Sequence, residues 1–525
     1  MTERPWSLKV TAAAFIAMVV CGLAFAGSAR FGNAQSPTPV TGIINSDTTW
    51  TKANSPYTLT GPVSVNQEVT LTVEPGVTVD LGSFHIQVNG TLRAQGSSTD
   101  QIYITGTTFN AHVSFTTFST DWNEQTGSGC IIENAVLDGV SFLIADGSPK
   151  IDSSAFYGVD IAQGAPVISN NVISGGVNIA GGSPTFLNNS FTSAGSGSMV
   201  INGGSPQLSH NSIASRIFVN GGVSTISDNT IADGVHIDSR GGSIALTNNV
   251  ITGRGTYNVI HVQGALTAIS HNTLIGNGFG GIYVAGDFGA SISGNIILGC
   301  SVGIGGSLLS SGKRTTIEGN AIFNNQIGIM AWPDITIRDN TIANNSVGIQ
   351  DILPSTTLVN NNIQYNNQYN VFSSSGVGID AANNWWGTTE VAAINQTIWD
   401  KKNDFNVGTV NFIPFLTAPN PAAPPIPDPI PTPVPPTTPS TSPTASSTPT
   451  STSTPNSSPS PTQNPTSSPA TLQASPNAIE IAILVVLIVI AVLLGILIAV
   501  LIKKIYKTPC NQQKCPQSRE SHANI

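Results

Sequence analysis

Between Asn171 and Asn384 one short pattern recurs eleven times: an apolar residue, two small or polar residues, an asparagine, any residue, and another apolar residue. The asparagines are Asn171, Asn189, Asn211, Asn229, Asn249, Asn272, Asn295, Asn320, Asn340, Asn361 and Asn384, separated by 18 to 25 residues. A period of this size is the signature of a solenoid, too short for helical-hairpin repeats and without the leucine spacing of a leucine-rich repeat. Each copy also carries a second alternating apolar run, such as Val177-Asn178-Ile179, Val235-His236-Ile237 and Ile282-Tyr283-Val284, which reads as a short strand. Three short strands per period make one turn of a parallel β-helix, all-β, whose coils stack about 4.8 Å apart and set like residues in columns. The asparagines then form an internal amide ladder.

The residue before each ladder asparagine supports the same reading. It is Asn170, Asn188, His210, Asp228, Asn248, His271, Gly294, Gly319, Asp339, Asn360 or Asn383, and these residue types tolerate a left-handed backbone best. His210 and His271 are therefore read as turn residues.

Outside the repeats the composition changes. Arg4 and Lys9 precede an apolar run ending in Ala24-Phe25-Ala26, which reads as a signal peptide over residues 1–29. Residues 417–477 are rich in Pro, Ser and Thr and read as a disordered stalk, up to roughly 180 Å long if fully extended. Residues 481–502 are apolar and uncharged, about 33 Å as a helix and sufficient to cross a bilayer. Lys503, Lys504 and Lys507 follow, which places the 503–525 tail in the cytoplasm and the rest outside. Expected is a single-pass protein of the cell surface, its β-helix spanning residues 48–416 in about 14 coils and ending in caps. Asn89, Asn188, Asn344, Asn395 and Asn456 head glycosylation sequons, compatible with that location. Cys510 and Cys515 in the tail match no zinc pattern. A net charge of −9 argues against nucleic acid as a partner.

Three further segments carry a family resemblance. Ser55-Pro56-Tyr57-Thr58-Leu59-Thr60-Gly61 and Leu71-Thr72-Val73-Glu74-Pro75-Gly76-Val77 resemble the opening coils of secreted right-handed parallel β-helix proteins of archaeal cell-surface type. Ala382-Asn383-Asn384-Trp385-Trp386-Gly387 resembles their closing coil. The resemblance extends to the pectin-lyase-like and NosD-like superfamily and implies a right-handed β-helix. That superfamily holds lyases, epimerases, hydrolases and proteins without catalysis, so the fold leaves function open. The aspartate clusters of calcium-dependent lyases are missing here, and no cofactor or metal is expected. A helix from Glu390 to Trp399, with Val391, Ile394 and Ile398 on one face, is expected to cap the lower end, with Trp385, Trp386 and Trp399 packed there and Trp50 and Tyr57 doing the same above.

One outward column stands out. Aligning the second strands gives Asn178, Val200, Phe218, His236, His261, Tyr283, Gly303, Gly328, Gly348 and Asn370, with Asn202, Asn220, Asp238 and Gln263 next outward and Arg240 beyond. Two readings stay open. The column is cross-strand packing, or Phe218, Asn220, His236, Asp238, His261, Gln263 and Tyr283 form a ligand-binding face for a polysaccharide or envelope component lying along the axis. A catalytic version, a lyase of uronate polymers, would use His236 or His261 as base, Asp238 to orient it and Arg240 as carboxylate clamp. The segments 193–197, 253–257 and 276–280 are expected to form a lip beside the groove.

Overall fold

The computed structural model describes residues 36–432 except 108–109, 194–198, 239–241, 255–256, 265, 287–288 and 308–313. The predicted signal peptide, most of the stalk, the membrane span, the cytoplasmic tail with Cys510 and Cys515, and Arg240 lie outside these residues. Among the described residues no helix is long and apolar enough to cross a membrane.

The first strand, Thr38–Ile44, begins ten residues before the expected start at 48 and pairs in parallel with Tyr57–Val65. From there about 14 coils follow, three strands to a coil. In one mid-solenoid coil these are Ser243–Thr247, Val250–Thr252 and Ile260–Gln263. Each pairs in parallel with its counterparts in the coils on either side. The strands before the asparagines form one sheet of 15, and the other two strands of each coil form a second of 31.

Alternation decides which side chains go inside. Ile226, Leu246, Ile269 and Ile292 are fully or almost fully buried and stack in register. Burying such a side chain contributes about 1.5–3 kcal/mol, repeated coil after coil. Cys130 and Cys300 are buried, unpaired members of this interior, where burial pushes their thiols up to about 11 and about 12.

The eleven asparagines form one continuous buried column. Asn272 is typical: its Oδ1 accepts from both the backbone N–H and Nδ2 of Asn249, each at 2.9 Å. Its Nδ2 donates to Asn295 Oδ1, Leu246 O and Ser270 O at 3.1, 2.9 and 3.0 Å. The residue before each asparagine has positive φ, from Asn170 at 58° to Asn383 at 59°, with Gly294 at 65° and Gly319 at 63°. That turn aims the amide inward.

A second, shorter ladder is absent from the sequence reading. Asn325, Asn345 and Asn366 are buried and linked Nδ2 to Oδ1 at 3.1 and 3.0 Å, ending on Asn370 Oδ1 at 2.9 Å. They too follow residues of positive φ, Asn324, Asn344 and Tyr365. This ladder corrects the outward column, because Gly303, Gly328, Gly348 and Asn370 are buried beside it. A Cβ on Gly328 would come within 2.5 Å of Gly348 O and 3.1 Å of Asn345 Nδ2, so only glycine fits. Tyr283 pairs instead with Gly305, two residues further on. The column then runs through Met330, Gln350, Phe372 and Trp399. It does not fade into small residues, as alignment on Gly303 implied.

The ends agree with expectation in their buried aromatics and differ in the cap helix and the segment after it. Trp50 and Tyr57 stack at 5.0 Å and are buried in the first coils, and Trp386 is buried against Phe412. The cap helix is only Val391–Gln396; Ile394 and Ile398 are buried while Val391 is half exposed. Trp399 belongs to a strand and stacks on Phe372 at 5.5 Å, ending the outward column. Residues 417–432, expected to open the stalk, instead turn back along the solenoid. Asn420 N donates to Asn362 Oδ1 at 2.7 Å, and Thr341 Oγ1 to Pro424 O at 2.5 Å. Ile426 packs on an outward cluster of Ile275, Leu298, Ala321 and Phe323.

Replacing Asn272 with Ala leaves two buried donors of Asn249 without an acceptor. The expected loss is about 2–4 kcal/mol, read as a shift in the urea unfolding midpoint. Asn248→Gly, which keeps the left-handed turn, should change stability by less than about 1 kcal/mol. Equal effects would contradict the ladder's role.

Candidate functional site

Phe218, His236, His261 and Tyr283 sit at the centres of four consecutive strands, Ile217–Val219, Val235–Asp238, Ile260–Gln263 and Ile282–Ala285, and pair directly in register. Their neighbours on each strand are buried, so alternation turns these four outward, where each is half-buried. The rings form a continuous stack. Centroids are 5.7 Å apart for Phe218–His236, 4.8 Å for His236–His261 and 5.5 Å for His261–Tyr283, with the last two pairs inclined by only 17° and 29°. Rings stacked along the axis turn their faces to each other and present their edges, with the imidazole nitrogens and the phenol, to solvent. Beyond Tyr283, Gly305 supplies no side chain, and the tyrosine hydroxyl lies 2.9 Å from Ser307 Oγ.

Beside the rings runs a polar rim. Asp238 pairs with Gln263, and both are exposed. Asn220 Nδ2 donates to Asn202 Oδ1 and Asn202 Nδ2 to Asn178 Oδ1, each at 2.9 Å. A groove of about 280 Å³ lined by Tyr157, Asp160, Asn178 and Val200 extends the same face toward the N-terminus. The face therefore offers hydrogen-bonding groups over several coils in a straight line.

Arg216, which sequence reasoning missed, lies at its margin. Two residues before Phe218, it occupies a position that is glycine at Gly158, Gly176, Gly234 and Gly281 and valine at Val259 in other coils. A cation at a position that is glycine or valine in these coils, in a chain with only 19 Lys and Arg, was the available signal. The side chain is 7% exposed, 3.7 Å from Asp233, and its guanidinium lies 4.7 Å from the ring centroid of Tyr257. Tyr257 belongs to the 253–257 segment expected as a lip and is itself well exposed.

Both histidines are held below the ordinary imidazole value. Burial is the main cause for each. For His236, the neighbouring His261 and the Arg216 guanidinium add to the lowering and Asp238 opposes it. For His261, a hydrogen bond that the imidazole donates to Gln263 and the Asp238 charge oppose the lowering, to which Arg216 contributes. Among the described residues no three His, Cys, Asp or Glu side chains cluster closely enough to hold a metal ion.

Residues 217–386, which include the four stacked rings, match the family model described as right handed beta helix region. Neither the comparison with curated proteins nor that with solved structures finds a match. The family model and the coil geometry together support a right-handed parallel β-helix repeat protein.

The lowered histidines have a consequence for stability. In the unfolded chain both take the ordinary value of 6.5, so between that value and the lower folded values the unfolded state binds more protons. Their contribution is therefore present above 6.5 and lost as pH falls through the folded values. A His236→Gln/His261→Gln variant should lose less of its melting temperature on acidification across that window than the parent. An equal loss would contradict the assignment.

Proposed function

We propose that this β-helix protein is a non-catalytic binding protein displayed at the cell surface, whose outward ring column and polar rim hold a polysaccharide or glycosylated envelope component along the solenoid axis. The observation that carries this reading is the alignment of Phe218, His236, His261 and Tyr283 in one stack, flanked by Asn220, Asp238 and Gln263. An extended glycan presents hydroxyls along its length, and a straight row of imidazole, phenol, amide and carboxylate edges matches that distribution. Mutual stacking restricts the rings before a ligand arrives, which lowers the entropic cost of binding.

A signal peptide, a Pro/Ser/Thr stalk and a membrane span fit display outside the cell. The docking of residues 417–432 against the coils suits such a role, since it ties the start of the stalk to the folded part.

Imidazoles of lowered pKa near a guanidinium favour one second reading, a lyase acting on uronate polymers. There His236 or His261 would take the proton beside the carboxyl group, and Arg216, in the part first given to Arg240, would neutralise the carboxylate. Release of unsaturated oligosaccharides by the purified protein, seen by ultraviolet absorbance, would establish it in place of simple binding.

Screening the protein on a glycan array identifies the ligand. Phe218→Ala and Tyr283→Ala each remove a ring that holds the imidazole stack, and each should weaken binding to the best array ligand by about 0.5–1.5 kcal/mol. The circular dichroism spectrum should not change, because both side chains point outward. If the double variant binds like the parent, the column is packing and the reading fails.

A further inference from the structure

Arg216 is a buried cation whose donors are incompletely paired among the described residues. Its side chain is 7% exposed, and Nη2 is buried without a hydrogen-bond partner among the described residues. Its nearest carboxylate, Asp233, stands 3.7 Å away, beyond hydrogen-bond reach. Tyr257 covers the guanidinium at 4.7 Å, a cation–π contact that offers Nη2 no hydrogen-bond acceptor. A buried guanidinium with an unsatisfied donor carries a desolvation cost that a charged acceptor would offset.

The surroundings narrow what that acceptor is. Arg216 immediately precedes the strand Ile217–Val219 that carries Phe218, which puts it at the margin of the ring column. Its charge reaches His236 and His261. Tyr257 is 64% exposed, so little burial holds its ring in place beside the cation–π contact.

We propose that Arg216 is an anion subsite of the glycan face, roofed by Tyr257, which takes the carboxylate or sulfate oxygens of an acidic sugar when the ring is displaced. The inference rests on the glycan-binding reading and deepens it from any polysaccharide to an acidic one. A carboxylate and a sulfate share the planar or tripodal oxygen set that a guanidinium fork binds through paired N–H donors. With a net charge of −9, the chain's wider field repels a polyanion, so selectivity for acidic sugars must come from this contact and not from long-range attraction.

The test titrates the full-length protein with three hexasaccharides of one backbone: a uronate form, its carboxyl-reduced neutral form, and a sulfated neutral form. The parent should bind the uronate or the sulfated form at least about tenfold more tightly than the neutral one, and the stronger of the two names the group. Arg216→Gln should erase that preference while leaving neutral binding within about twofold. Tyr257→Ala, a change at an exposed position, should strengthen acidic binding and leave neutral binding unchanged, and it decides the matter should Arg216→Gln fail to fold. Equal binding of all three forms by the parent overturns the subsite while glycan binding stands. Binding of none overturns both. A preference that survives Arg216→Gln, or a Tyr257→Ala variant unchanged toward acidic forms, assigns Arg216 to pinning the loop alone.

Discussion

The stacking of coil on coil through buried asparagine amides is the interaction on which everything else depends. Each ladder side chain accepts from the backbone and the amide of one neighbour and donates to the next, so a buried polar group becomes a source of register. Hydrogen bonds of this kind contribute modestly when made and cost heavily when one partner is missing. A coil displaced by one residue would swap interior and exterior side chains and orphan two amides at once. The ladder therefore fixes which residues of each coil meet those of the next, and through that the outward columns.

Much of this was legible in the sequence because the ladder obeys a strict local grammar. A left-handed residue drawn from Asn, Asp, His and Gly, then asparagine, then an apolar residue two places on, reflects the geometry of one turn repeated. The outward column was readable from Asn178 to Tyr283 for the same reason. It was lost at the next coil, where Val302-Gly303-Ile304-Gly305 permits two alignments that differ by two residues. Such a shift preserves alternation, so periodicity cannot detect it. Gly281, Gly303, Gly328 and Gly348 resolve it, since a Cβ on any of them would strike the carbonyl of the following coil. Asn324-Asn325 and Asn344-Asn345 carried the grammar of the second ladder, but its third member follows Tyr365, a residue not expected at positive φ. The return of residues 417–432 along the coils was illegible, because its contacts join residues some 58 to 83 positions apart.

The candidate face shows how a repetitive scaffold acquires chemistry at one place. A column that carries Asn178 and Val200 before and Gly305 after becomes Phe, His, His and Tyr in four successive strands, and a position that is glycine in several coils admits Arg216. The consequences are physical: rings stack face to face, their edges turn outward, burial lowers the imidazole pKa values, and a guanidinium is drawn under Tyr257. A fold of this kind sets the spacing of functional groups through its coils, and the ligand it suits best is one whose own groups recur along a line.

Whether a glycan lies along the Phe218-to-Tyr283 column can be read from histidine modification with diethylpyrocarbonate in the presence and absence of the array-identified oligosaccharide. His236 and His261 form one stacked pair at 4.8 Å, and His85 and His112 form another at 4.9 Å on strands of the same sheet far from the column. His210 and His271 are exposed turn residues that serve as further references. The oligosaccharide should slow modification of His236 and His261 and leave the other four unchanged. Uniform slowing of all six, or unchanged rates at His236 and His261 under saturating ligand, would contradict a glycan there.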